Sequence, residues 1–460
     1  MFNEPASSFD DDSIITRKLS TPASESPQDD PRYETIRTAV EGVLQIEEEI
    51  FALDKGTTNE RLQFIALSAD TKWLMSFKGR LTQGSEPAYS QLDSAFLPYG
   101  LLPLFREEKR DKSSTETIHI IHVLEGRATP PSSGYILNLV LFLLTVLSVL
   151  YVGALMAINE IAVTNEPMAL EILDNLLPNL WRGAPYAGAL LLILGAHELG
   201  HYFAARFHKT AASLPYFLPF PFGIFGTFGA AIRLREPMRN RKVLLDIGAA
   251  GPLMGLVFAI PIVIIGLATS KVDVMSSGMV EGNSFMYALS KIIVFGRFLP
   301  DGQVDVYVNQ LAWAGWTGLL ITGLNLLPVG QLDGGHVLYA LLGSRSRWSY
   351  YPIVGGMVFL TTTIAPELLV FVLLLMLIGN LHAVPLDDIT PLNGRRQWIA
   401  GFTLIIFILV FVPSPLTQVV VNERQIPTDN RDLMMLPVLM GMVWMSRHRV
   451  AGILRFIRKR

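Results

Sequence analysis

The segment His197-Glu198-Leu199-Gly200-His201 places two imidazoles four residues apart within an apolar run. On an α-helix, residues i and i+4 project from one face. Both rings can therefore offer a nitrogen to one metal ion. Glu198 lies about 100° round the helix from His197 and can lean toward the same place to hold a water. Two neutral imidazoles beside a carboxylate suit a divalent ion such as zinc. With only eight histidines in the chain, a chance HExxH is rare, and rarer in an apolar segment where charge is costly. The bland alternative is a buried polar pair that specifies helix packing.

A catalytic zinc site takes three protein ligands and leaves one position open. The extension HExxHxxGxxH is absent, because Ala204 and Phe207 occupy the Gly and His places. A Glu about 20 residues downstream is absent too, since the first acid after His201 is Glu236. The remaining candidate is Asp333, in the run from Asn325 to His336. There Pro328 removes a backbone donor and Gly330 relaxes the chain, which predicts a broken helix. Broken helices at membrane depth are tolerated where they line a polar cavity. Asn325 and the freed backbone can then face the metal. The bland reading of Asp333 is a helix-terminal acid in a turn.

These residues need elements to hold them, and the composition suggests which. Of 460 residues, 50% are hydrophobic and only 17% charged, against roughly 25% charged in soluble domains. Cysteine is absent, which excludes disulfides and thiolate metal sites. A net charge of -3 argues against nucleic-acid binding. Apolar segments near 135–158, 185–207, 243–269, 310–328, 350–365, 366–381 and 398–413, with a weaker one at 433–446, approach the roughly 20 residues that span a bilayer. The expected fold is a polytopic α-helical membrane protein of seven or eight spans. It would carry a small N-terminal cytoplasmic α+β domain.

The expected organisation is a disordered acidic tail (1–31), a soluble α+β domain (32–127), a membrane core (135–345), further C-terminal membrane helices (346–446) and a basic cytoplasmic tail (447–460). In the soluble domain, Ile36, Val40, Val43, Ile46 and Ile50 recur at helical spacing. Strands are expected over Trp73–Leu81, Leu101–Phe105 and Ile118–Leu124, with a helix from Ser85. His119 and His122 fall on opposite faces of the last strand. The connection 205–242 carries seven basic residues against Glu236, whereas 159–184 carries four acids against Arg182. The positive-inside rule then puts 205–242, the N-terminal domain and the C-terminal tail in the cytoplasm.

The HELGH motif, the segment Asn325-x-x-Pro328-x-x-x-Leu332-Asp333-Gly334 and the small-residue helix Gly248 to Gly255 together resemble the site-two protease family of intramembrane zinc metalloproteases. The resemblance covers most of residues 185–340. It implies His197, His201 and Asp333 as ligands of one zinc ion and Glu198 as general base. It also implies that Asn325 orients substrate or oxyanion. Some family members carry a PDZ domain between core spans. The loop 270–309 is too short for one, so the chain resembles the PDZ-less branch.

Residues 215–235, with Pro215, Pro219 and Pro221 ahead of Gly226 and Gly229, are expected to form a membrane-dipping turn and then a strand. That strand could pair with an extended substrate at Gly229; an interfacial hairpin without substrate contact is the alternative. Gly248, Gly251 and Gly255 make a narrow face that lets helices approach closely, with Gly251 near the site. Pro328 and Gly334 shape the Asp333 turn. His336 and His382 are expected to back the ligands from outside or to be structural, not to be ligands themselves, and His208 is expected in solvent. The expected activity is cleavage of membrane-protein or membrane-peptide substrates in the lipid bilayer, in regulated intramembrane proteolysis. An ion-coupled secondary transporter and an inactive scaffold are the alternatives. The acidic tail, lacking transit-peptide features, points to a prokaryotic plasma membrane.

Overall fold

The computed structural model describes residues 30–51, 72–110, 116–127, 134–274, 278–301, 304–378 and 384–419. The acidic tail up to 29, His382, the segment 433–446 and the tail 447–460 lie outside the described residues. The chain divides into two compact units.

The first unit gathers the N-terminal residues together with 237–241 and 384–391. Helix α1 (Tyr33–Glu41) buries Ile36 and Val40 and ends at Gly42. The helical spacing that reaches Ile50 does not persist. Leu44–Ile50 is strand β1, paired antiparallel with β2 (Lys72–Leu81). Backbone pairing outweighs an apolar period that also fits a helix. Helix α2 (Ser85–Phe96) follows, then β3 (Leu101–Lys109) and β4 (Thr117–Glu125). The antiparallel sheet runs β1-β2-β4-β3. Phe77, Ile121 and Phe105 align across it in register, and the Tyr89 ring of α2 packs edge-on against Phe105. On β4, His122 Nδ1 meets Ser76 Oγ at 2.6 Å, and His119 Nδ1 accepts from the Leu81 amide.

An exposed strand edge invites unwanted pairing, and the edge at β3 is closed by the two downstream segments. The Phe105 amide donates to Leu386 O, Leu386 N to Met238 O, and Asp387 N to Arg239 O. Arg106 adds hydrogen bonds to the carbonyls of Pro385 and Leu386. The Asp387 carboxylate is buried and accepts from the amides of Ile389 and Thr390.

The second unit holds α3 (Ile136–Ala162), α4 (Glu166–Asp174), α5 (Ala184–Phe207), the hairpin β5 (Tyr216–Pro219) and β6 (Thr227–Ala231), and α6 (Arg241–Ala268). The loop after α6 folds into β7 (Lys271–Val274), β8 (Gly278–Glu281), α7 (Phe285–Phe295) and β9 (Val304–Tyr307). Then come α8 (Gln310–Asn325), α9 (Asp333–Leu342), α10 (Tyr350–Thr363), α11 (Leu369–Ile378), α12 (Gly394–Val410) and β10 (Leu416–Val419). Strand β7 pairs with β9, and β8 with β10. Ile193 of α5, Leu256, Ala259 and Val263 of α6, and Trp316 and Leu319 of α8 share one buried core.

The expectation of seven or eight spans is corrected here. Among the described residues, two helices are long and apolar enough to cross a membrane: α3, with 27 residues, and α6, with 28. Apolar runs in the sequence overstate helix length. Helix α8 stops after 16 residues, α10 after 14, α11 after 10 and α12 after 17. A 16-residue helix is about 24 Å long, short of a roughly 30 Å hydrocarbon core. Helix α5 has the length, but His197, Glu198 and His201 interrupt its apolar character. The cytoplasmic placement of the N-terminal domain counted those spans and loses its basis with them. The fold is two such helices among shorter ones, with a substantial N-terminal β-sheet.

Candidate metal centre

Helix α5 opens with a proline in its first turn, where the missing N–H costs nothing. It closes at His208, where Lys209 takes a left-handed backbone with φ 55°. Within it His197 and His201 lie on one buried face, 4% and 7% exposed. Their rings meet edge-on, with centroids 4.9 Å apart. The two Nε2 atoms are 3.2 Å apart.

The third group comes from a distant element. Helix α8 ends at Asn325, and a turn through Pro328 and Gly330 (φ 58°) leads to Asp333, the first residue of α9. That turn is closely folded. A Cβ on Gly334 would fall 1.9 Å from Leu326 O, and one on Gly335 would fall 2.4 Å from Gly330 O. Ser349 Oγ donates to Pro328 O at 2.8 Å. Folded this way, Asp333 puts Oδ2 3.2 Å from His197 Nε2 and Oδ1 3.3 Å from His201 Nε2.

Two imidazole nitrogens 3.2 Å apart thus face the two oxygens of one carboxylate, at 3.2 Å to Oδ2 and 3.3 Å to Oδ1. Zinc bonds of about 2.0–2.1 Å in a tetrahedron put neighbouring ligand atoms roughly 3.3 Å apart. The donor set and its spacing therefore fit a tetrahedral divalent ion. The tautomer fits as well. His201 Nδ1–H donates to Ile247 O at 2.7 Å, which leaves the Nε2 lone pair free for a metal.

Helix α6 walls the site through its small residues. A Cβ on Gly251 would fall 2.1 Å from His201 Nε2, and one on Gly255 would fall 3.3 Å from His197 Cβ. Glu198 is 5% exposed and stands outside the group of His197, His201 and Asp333. The backbone amide of Ile232, just past β6, faces its carboxylate. Gly229 sits in β6 with φ 98°, its amide bonded to Thr227 Oγ1 and open space where a Cβ would be. Asn325 is half-buried at the end of α8. His336 packs with its Cβ against Gly248 of α6.

Two features escaped the sequence. His208, expected in solvent, instead sits 2.8 Å from Asp246 Oδ2. Asp246 also pairs with Arg396. The signal was Asp246 itself, an acid inside an apolar segment, where charge needs a partner.

Residues 185–361 match the model of Peptidase family M50. The chain is 30% identical over 292 residues to "Probable zinc metalloprotease EGY1, chloroplastic" of Arabidopsis thaliana, covering 61% of this chain and 53% of that protein. It is 29% identical over 250 residues to "Probable zinc metalloprotease EGY2, chloroplastic" of the same plant, covering 54% and 44%. The chain thus spans about half the length of the curated relatives it matches. No solved structure matches it. The two histidines and the aspartate converge inside the matched segment, so residues 185–361 carry a Peptidase family M50 (site-two protease) domain.

Proposed function

We propose that the chain is a membrane-associated zinc metalloendopeptidase that hydrolyses peptide bonds in or near transmembrane segments of other proteins. The observation that carries this reading is the convergence of His197, His201 and Asp333, with donor contacts of 3.2–3.3 Å, and the buried Glu198 carboxylate near them. Zinc held there supplies Lewis acidity, acidifying a water and polarising the scissile carbonyl.

The chain's own residues do the rest. Glu198 accepts a proton from the attacking water and passes it to the leaving amine. His201, fixed by Ile247 O, keeps its Nε2 aimed at the metal. Asn325, at the end of α8, orients the substrate or its oxyanion. A helical substrate hides its peptide groups in hydrogen bonds, so the cleaved stretch must unwind. Strand β6 is paired with β5 on one side only, and its other edge offers the unwound stretch backbone partners by strand addition. The Ile232 amide beside Glu198 supports a reading in which that edge holds the scissile bond. A prokaryotic plasma membrane is the proposed location, while the relatives carry chloroplastic names; fractionation of source cells tests it.

The deciding experiment uses the purified chain in detergent with a model transmembrane peptide. Native protein should bind one zinc per chain and cleave. Glu198→Gln should keep the zinc and lose at least a hundredfold in rate, within the range of general acid–base catalysis. Cleavage by Glu198→Gln at the native rate would sink the proposal.

A further inference from the structure

Asp246 is an acid near the start of α6, next to Ile247, whose carbonyl takes the proton of His201 Nδ1. Its carboxylate is held from two sides. Arg396, in the first turn of α12, donates from Nε to Oδ1 at 2.9 Å and from Nη2 to Oδ2 at 2.6 Å. His208, closing α5, meets Oδ2 at 2.8 Å. The arginine contact is a two-pronged pair, which fixes direction as well as distance. All of these residues lie in the second unit.

His201 and His208 are seven residues apart, nearly two helical turns, so they share one side of α5. Both are tied to the same spot on α6: His201 to the Ile247 carbonyl, and His208 to the neighbouring Asp246 side chain. Two ties along one line fix the rotation of α5 against α6. That rotation decides where His201 Nε2 points. Gly251 confirms how little freedom remains, since any Cβ there would strike the ring.

We infer that Arg396 and Asp246, with His208, form a positioning clamp that sets the His201 imidazole for metal binding. The inference rests on the reading of His197, His201 and Asp333 as zinc ligands. The direct outer partner of His201 is the Ile247 carbonyl, which the clamp holds in place; losing such a partner typically lowers metal affinity 10–100-fold. Arg396 lies beyond residues 185–361 that match the family model. The clamp thus gives helix α12 a part in building the site.

The test uses the full chain in detergent and reads zinc affinity by competition with a chromophoric chelator, alongside kcat and KM. Arg396→Gln should bind zinc about 10-fold or more weakly, with kcat falling and KM nearly unchanged. Arg396→Lys keeps the charge without the fork and should recover part of the affinity. Arg395→Gln, at the exposed neighbour, should behave as the native chain. Asp246→Asn combined with Arg396→Gln should be no worse than Asp246→Asn alone, because both remove one interaction.

Native zinc affinity in Arg396→Gln, with an equal loss of thermal stability in the metal-free and zinc-loaded forms, would make the pair a mere brace and overturn the clamp. Should Arg396→Gln fail to fold, Arg396→Lys decides, and native affinity there overturns the clamp equally. A native chain that takes up no zinc would overturn the metal reading and the clamp together. Native uptake with unchanged variants overturns the clamp alone.

Discussion

Gly251 of α6 lies so close to His201 of α5 that a Cβ built on it would fall 2.1 Å from Nε2, the atom that meets His197 and Asp333. The ring cannot simply step aside, because its Nδ1 is bonded to Ile247 O. Gly251→Ala should therefore break that bond or turn the ring. The expected result is at least a tenfold loss of zinc affinity with a parallel loss of cleavage. Gly255→Ala is the graded comparison: its Cβ would sit 3.3 Å from His197, a contact the neighbour can yield to. Its loss should be smaller, and equal losses at the two positions would contradict this account.

The metal centre was the most legible part of the chain because its spacing rules are local. HELGH on a helix places two rings on one face by geometry alone. Asp333 needed a broken helix, and Pro328 with Gly330 announced one. Other features were hidden for physical reasons. The pairing of Asp246 with His208 and Arg396 joins positions 150 residues apart in the case of Arg396, and no local period encodes such a distance. The closure of the β3 edge by residues 384–391 is of the same kind. Span number was misread because apolar composition continues past the points where helices stop, as at Asn325. Ile46 and Ile50 fitted a helix until pairing with β2 claimed them for a strand.

Lys291 of α7 is fully buried, with Nζ 3.1 Å from Glu281 and 3.6 Å from Asp305. It also lies 4.7 Å from the centre of the Tyr287 ring. Lys291→Met keeps the length of the side chain but leaves two buried carboxylates without their cation. Breaking a buried pair this way costs about 3–5 kcal/mol, visible as a lower midpoint in thermal unfolding. Adding Glu281→Gln should restore part of that loss, since one uncompensated charge is then gone. A Lys291→Met chain as stable as the native one would show that this network contributes nothing.

Strand addition to β6 makes a prediction about the substrate. A strand pairs through alternate residues, so N-methylation of a model peptide should matter with a period of two around the cleavage point. Methyl groups at pairing positions should lower kcat/KM by about tenfold, the equivalent of about 1.4 kcal/mol or one hydrogen bond. Methyl groups one residue along should have little effect. A proline at Gly229 would be a poor probe, because proline holds φ near −65° and Gly229 has φ 98°. Equal rates for every N-methylated peptide would remove the strand from the mechanism and leave the zinc chemistry untouched.

The segment that closes the sheet edge should respond to pH. Burial pushes the Asp387 carboxyl above its usual range, and the hydrogen bonds from Thr390 and Ile389 offset this only in part. A raised value in the folded state means that the fold holds the proton more tightly than the open chain does. That contribution to stability is fully present below the open-chain value near 3.9. It is lost as pH rises through the higher folded value, and stability changes no further from this group beyond that. The local readout is hydrogen exchange at the Phe105 amide, which donates to Leu386 O beside Asp387. Its opening free energy should fall as pH rises from about 4, after correction for intrinsic exchange. Asp387→Asn, which has no proton to lose, should flatten the dependence. A native profile as flat as that of the variant would show that the buried carboxyl does not govern this edge.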